Sequence, residues 1–123
     1  MEPMQLNRRS FLAGSLAAPA LLQGAASRNY MVYVGTYTNT KSKGIYGYRF
    51  DTKSGKLDPQ GLMGECPNPS FLTFHPNRKF VYAVGEGGPR GGTVSAFSRD
   101  AASGKLTLLN QIPSRGSSPC NTL

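Results

Sequence analysis

The chain is 123 residues long and basic, with 14 Lys and Arg against 6 Asp and Glu and a formal net charge of +8. The basic residues are scattered over turn-like segments and form no stripe interleaved with aromatic residues. We therefore expect a solvated surface with some attraction for anionic small molecules, and no nucleic-acid partner. The sequence contains no set of His, Cys and Asp residues with metal-ligand spacing. It also contains no glycine pattern of a nucleotide-binding loop and no Gly-x-Ser-x-Gly nucleophile elbow. We therefore predict a protein without metal or cofactor.

The first 26 residues have the pattern of a cleaved export signal. The pair Arg8-Arg9 precedes a weakly apolar run at residues 11–22, and small residues follow it up to Ala26. Such a pair before Phe-Leu is typical of the twin-arginine route, although Asn7 stands where a strict motif has Ser or Thr, so an ordinary secretion signal is the alternative. The run is too short for a membrane span. We predict the twin-arginine export machinery as a partner, cleavage near Ala26, and a periplasmic or secreted protein without a membrane anchor.

The residues after 27 have the composition of short β-strands. Six segments are rich in Val, Ile, Tyr, Phe and Thr, and each is bounded by Gly, Pro, Asn or Ser clusters. No stretch shows an apolar stripe of 3.6-residue period long enough for a stable helix. The six segments are Tyr30–Thr38, Gly44–Asp51, Phe71–Phe74, Phe80–Val84, Thr93–Phe97 and Leu106–Ile112.

A repeat organises these segments. The tetrapeptide SGKL occurs at residues 54–57 and 103–106, and the same shift places Val32 on Val81 and Asp51 on Asp100. A period of 40–50 residues with strand texture is typical of propeller blades, each a four-stranded antiparallel meander. The predicted fold is therefore an all-β propeller, with SGKL in the turn between the third and fourth strands of a blade. The second blade is predicted as Pro69–Phe74, Phe80–Glu86, Thr93–Arg99 and Lys105–Ile112.

The number of blades predicts a truncated domain. The first repeat has three strands, the second has four, and residues 117–123 look like the opening of a third. A propeller closes by radial repetition of several blades. One and a half blades would therefore leave large faces uncovered. We expect residues 27–123 to be the N-terminal part of a propeller several times longer.

At residues 33–38 the sequence YVGTYT resembles the start of the seven-bladed β-propeller lactonase family, of the bacterial 6-phosphogluconolactonase type. That family hydrolyses sugar lactones, so the resemblance implies a lactone hydrolase of carbohydrate metabolism with a small-molecule lactone as substrate. Two positions depart from many relatives: Gly85 stands in place of Asn, and Asn121 in place of His, which weakens any catalytic assignment near the C-terminus. The other matching stretches are Gly44–Asp51, Asn68–Glu86, Gly92–Ser114 and Ser117–Cys120.

Lactone hydrolysis needs a base to activate water, a donor for the developing oxyanion, and a cation if the substrate carries phosphate. In a meander, the loops between second and third strands share one rim with the links between blades. Glu86, which opens a glycine-rich loop on this rim, is the predicted catalytic acid or base; a strand-end carboxylate that bonds loop amides is the alternative. Arg90, Tyr37 and Thr36 are the predicted substrate-binding residues of the same rim, and for Arg90 a solvated loop arginine is the alternative.

His75 is the only histidine of the chain. Its sequence His-Pro-Asn-Arg is typical of a β-turn, and this turn belongs to the opposite rim, so we predict a structural role for it. Cys66 and Cys120 would meet an oxidising compartment after export, but nothing in the sequence sets their separation, and a disulfide between them stays open. A non-catalytic exported propeller that serves as a binding scaffold is the alternative function.

Overall fold

The computed structural model describes residues 28–87 and 91–122. The predicted export signal at residues 1–26 and the predicted binding residue Arg90 lie outside the described residues. In the described part of the chain, no helix is long and apolar enough to cross a membrane.

Two antiparallel sheets, one for each repeat, make up the described structure. The seven strands are β1 (Asn29–Gly35), β2 (Gly44–Asp51), β3 (Leu57–Glu65), β4 (Pro69–Phe74), β5 (Phe80–Gly85), β6 (Thr93–Arg99) and β7 (Leu106–Pro113). The first sheet has the order β1-β2-β3, and the second has the order β4-β5-β6-β7. This confirms the predicted all-β fold of four-stranded antiparallel blades, with three strands of the first blade and a complete second blade.

The two SGKL segments form the same turn, as predicted. In the second blade the amide of Gly104 donates to the carbonyl of Asp100 at 2.9 Å, and the Asp100 carboxylate accepts from the amide and hydroxyl of Ser103. Gly55 and Gly104 have φ angles of 71° and 74°, a left-handed conformation that glycine adopts without a steric cost. These hydrogen bonds from Ser103 lower the pKa of Asp100. The tetrapeptide is structural in both blades.

Two strand predictions need correction. The predicted strand Tyr30–Thr38 ends at Gly35, because the amide and hydroxyl of Thr36 both turn to the carbonyl of Gly44, at 3.1 and 2.6 Å. β3 was not among the six segments of strand composition. Its sequence LDPQGLMGE contains no β-branched or aromatic residue, and it forms a strand because it pairs along β2.

The hydrophobic core lies between the two sheets. Ile45 on β2 and Val81 and Phe97 in the second blade are each 0% exposed. They form one cluster with Met63, Cys66, Ala83 and Leu106. Side chains of both blades therefore bury each other, as expected of repeats that cannot cover their faces alone.

Polar contacts also join the two blades. The hydroxyl of Tyr33 donates to the carbonyl of Gly104 at 2.6 Å and accepts from Arg99 Nε at 3.1 Å. Lys105 Nζ donates to the carbonyl of Leu62 at 2.6 Å. These bonds and the core together define how the first blade sits against the second, and hence which loops meet at the rim.

Candidate active-site rim between two blades

Three segments of the chain meet at the rim predicted to hold the site. Residues 36–43 link β1 to β2, residues 66–68 link β3 to β4, and Glu86 begins the link from β5 to β6. The amide of Glu86 donates to the carbonyl of Asn68 at 3.1 Å, and the amide of Asn68 donates to the hydroxyl of Thr38 at 3.1 Å. The structure thus places on one rim the loops that meander geometry assigned to it.

Tyr37 and Glu86 occupy the same position in successive repeats, 49 residues apart, and they contact each other across the two blades. The Tyr37 hydroxyl donates to Glu86 Oε2 at 2.9 Å. Tyr37 is 57% exposed and Glu86 is half-buried. The hydrogen bond to Glu86 and the charge of its carboxylate raise the pKa of Tyr37, because an ionised phenol would face a second negative charge. Tyr37 is therefore a neutral donor held beside a carboxylate.

Two glycines permit the close approach of the chain segments at this rim. A Cβ atom on Gly35 would lie 2.1 Å from the carbonyl oxygen of Pro69 in the next blade. A Cβ atom on Gly85 would lie 2.6 Å from the carbonyl oxygen of Pro67 and 2.5 Å from Thr93 Oγ1. Real Cβ contacts are not this short, so a side chain at either position would displace backbone. In this chain, Gly85 is the residue that lets the link between the blades lie against the end of β5, directly before Glu86.

The remaining predicted binding residues have different positions. Thr36 lies on the rim, but its hydroxyl is engaged by the carbonyl of Gly44 and by the hydroxyl of Ser42. It therefore shapes the loop that carries Tyr37. Arg90 is one of the three residues between the described segments 28–87 and 91–122, so its role stays a prediction.

His75 lies at the other end of the β4–β5 hairpin from Glu86. Pro69 at the start of β4 pairs with Gly85, and Phe74 at its end pairs with Val81. A six-residue strand spans roughly 17–20 Å. The amide of Arg78 donates to the carbonyl of His75 at 2.8 Å, which closes the predicted β-turn. The turn explains His75 without a catalytic role.

The two cysteines are both free thiols, Cys66 buried and Cys120 exposed. Burial raises the pKa of the Cys66 thiol to about 11, and the residue packs in the core between the blades. Since both thiols are free, the structure contains no disulfide between Cys66 and Cys120. Among the described residues, no group of three or more His, Cys, Asp or Glu side chains is placed to hold a metal ion.

Meander geometry assigned Thr38 and Asn68 to this rim, but sequence reasoning did not single them out as functional residues. Both are polar residues in short links and have no catalytic signature of their own. The available signal is the dipeptide Asn-Pro at residues 68 and 69, since an Asn before a proline marks a turn. Its repeat equivalent before Pro119 is Ser118, so the second link between blades carries a different polar residue.

Comparisons with known proteins agree with this architecture. The model of the family described as lactonase, seven-bladed β-propeller, matches residues 31–122. The chain is 37% identical over 92 residues to the 6-phosphogluconolactonase of Bacillus subtilis, covering 75% of this chain and 26% of that protein.

Solved structures give the same result. A candidate 6-phosphogluconolactonase of Bacteroides fragilis is 41% identical with a TM-score of 0.69, and the match covers 75% of this chain and 26% of that one. The periplasmic gluconolactonase of Pseudomonas aeruginosa is 34% identical with a TM-score of 0.69, and the match covers 75% of this chain and 27% of that one. The chain thus spans about a quarter of the length of the relatives that it matches.

Proposed function

Because the chain belongs to the seven-bladed β-propeller lactonase family, we propose that it supplies the first blades of an enzyme that hydrolyses a sugar lactone. The complete propeller is this chain together with the remaining blades of the ring. The observation that carries the proposal is the hydrogen bond of 2.9 Å between the Tyr37 hydroxyl and the Glu86 carboxylate. It places a proton acceptor and a neutral donor together on one rim, in a family named for lactone chemistry.

In the proposed reaction, Glu86 takes a proton from a water molecule whose oxygen attacks the lactone carbonyl carbon. The bond between that carbon and the ring oxygen then breaks, and the ring oxygen receives the proton that Glu86 took from the water, which leaves an open-chain hydroxy acid and the Glu86 carboxylate. The Tyr37 hydroxyl donates its one proton to Glu86 Oε2 and so orients the carboxylate. Arg90 is the proposed cation for a phosphate on the substrate. One relative is named 6-phosphogluconolactonase and another gluconolactonase. The substrates to test are therefore sugar lactones with and without a phosphate group.

The test is hydrolysis of gluconolactone and 6-phosphogluconolactone by the complete propeller, followed as acid release above the spontaneous rate. We expect turnover of at least one of the two substrates, abolished by heat denaturation. A folded complete propeller without activity on either lactone would contradict the proposal and favour the binding scaffold.

We also propose that residues 1–26 direct export by the twin-arginine route, with the mature protein in the periplasm or secreted. Support comes from Arg8-Arg9 before a weakly apolar run and from the periplasmic location named for the Pseudomonas aeruginosa relative.

Replacement of both arginines by lysine should stop export of a reporter fused after residue 30, because the twin-arginine machinery recognises the arginine pair. The measurement is the periplasmic fraction of a folded reporter. A matched control replaces Arg28, which lies beyond the predicted cleavage site, by lysine. Undiminished export of the double variant would show that the signal uses the general secretion route.

A further inference from the structure

Asn68 makes side-chain contacts with both loops that carry the Tyr37–Glu86 pair. The amide of Thr38 donates to Asn68 Oδ1 at 2.8 Å, and the Thr38 hydroxyl donates to the same oxygen at 3.1 Å. On the other side, Asn68 Nδ2 donates to the carbonyl of Glu86 at 3.0 Å. One side chain therefore bonds the residue after Tyr37 in the first blade and the main chain of Glu86 in the second.

The orientation of this amide follows from its partners. A main-chain N–H can only donate, so the Thr38 amide requires the oxygen of Asn68. A carbonyl can only accept, so Glu86 requires the NH₂ group. The backbone of Asn68 has a φ of 43°, in the left-handed region where Asn is enriched and most side chains are disfavoured. Few residues other than Asn combine this backbone conformation with a donor and an acceptor at the required distance.

No strand pairing sets the separation between Tyr37 and Glu86. β1 and β5, which precede these two residues, belong to different sheets. Asn68 bridges the gap: it holds the Glu86 amide through its own carbonyl, the Glu86 carbonyl through its side chain, and the loop of Tyr37 through Thr38.

We propose that Asn68 is a positioning residue of the active-site rim, which sets the separation between the Tyr37 hydroxyl and the Glu86 carboxylate. The catalytic part of this inference rests on the proposed lactone hydrolysis. Displacement of a reacting group by about 1 Å costs on the order of 10²-fold in rate, so a bridge between two blades at this point has a direct effect on turnover.

The test compares three variants of the complete propeller. Asn68→Gly keeps the left-handed backbone and removes both side-chain contacts. Asn68→Asp keeps the acceptor for Thr38 but places an oxygen against the Glu86 carbonyl. Asn77→Gly is the matched control, since Asn77 is an exposed turn residue on the opposite rim whose side chain accepts from the Lys79 amide at 2.9 Å.

The first readout is ionisation of the Tyr37 phenol, taken as the ultraviolet pH titration of each protein minus that of its Tyr37→Phe counterpart. Glu86 raises the pKa of Tyr37 in the structure. We expect both Asn68 variants to shift this pKa down towards the ordinary value, since Glu86 is no longer held against the phenol. Asn77→Gly should leave it unchanged.

The second readout is steady-state kinetics, with folding of each variant checked by circular dichroism. Both Asn68 variants should lower kcat by roughly 10–10²-fold with little change in KM, whereas Asn77→Gly should retain wild-type kcat. The Asn68→Asp variant lacks the hydrogen bond to the Glu86 carbonyl. If it keeps the wild-type Tyr37 pKa and the wild-type kcat, Asn68 does not hold the two loops together. An Asn68→Gly variant with both readouts unchanged would overturn the inference altogether. If the wild type hydrolyses no lactone while Asn68→Gly still shifts the titration, the proposed function fails and the positioning of the pair stands.

Discussion

Glu86→Gln in the complete propeller should lower kcat for lactone hydrolysis by about 10²–10⁴-fold, the usual contribution of a general acid or base. The amide has nearly the same shape as the carboxylate and can still accept the hydrogen bond that Tyr37 donates to Oε2, but it cannot take a proton from water. The loss should therefore appear in kcat while the fold and KM change little. The measurement is the rate of acid release, corrected for spontaneous hydrolysis, at saturating substrate.

His75→Gln is the matched control for this variant. It also replaces one titratable side chain by an amide, but it lies at the opposite end of the β4–β5 hairpin, within a β-turn closed by the amide of Arg78. We expect nearly full kcat and at most a lower melting temperature. Full activity in Glu86→Gln together with its loss in His75→Gln would mean that the catalytic rim is the other one.

Residues 28–122 expressed alone should fail to form a cooperatively folded monomer. Within the described residues, β1 pairs only with β2, and its other edge offers free main-chain donors and acceptors that favour aggregation. On β7, Leu108, Leu109 and Ile112 are 48%, 55% and 57% exposed. Repeat proteins gain stability from contacts between neighbouring repeats, and here one such interface supports two blades.

Thermal unfolding followed by circular dichroism, together with light scattering, measures this outcome. We expect a β-type spectrum, a broad or absent transition, and assemblies larger than a monomer. The complete propeller in the same buffer is the control and should show one sharp transition. A monodisperse monomer of residues 28–122 with a sharp transition would refute the expectation and show that a single interface between blades suffices.

Most strands and turns could be predicted from local composition and from the repeat. The β-branched and aromatic residues of β2, β5 and β6 favour a pleated surface, and Gly and Asp at the turns permit the left-handed geometry of tight connections. β3 shows where local composition fails: only the repeat predicts it, because a strand can form by pairing when its own residues have low strand propensity. The early end of β1 shows the opposite case, where strand-like residues leave the sheet to bond Gly44.

The sequence by itself determined the fold class, the repeat and the rim on which each loop lies, because these depend on period, composition and the alternation of a meander. Only the tertiary structure decided that Tyr37 contacts Glu86, 49 residues away, and that Asn68 bonds Thr38 and Glu86, 30 and 18 residues away. The reason is physical. Local propensity specifies which residues extend or turn, but hydrogen bonds between blades depend on the rotation and spacing of whole sheets, which the packing of Ile45, Val81 and Phe97 determines.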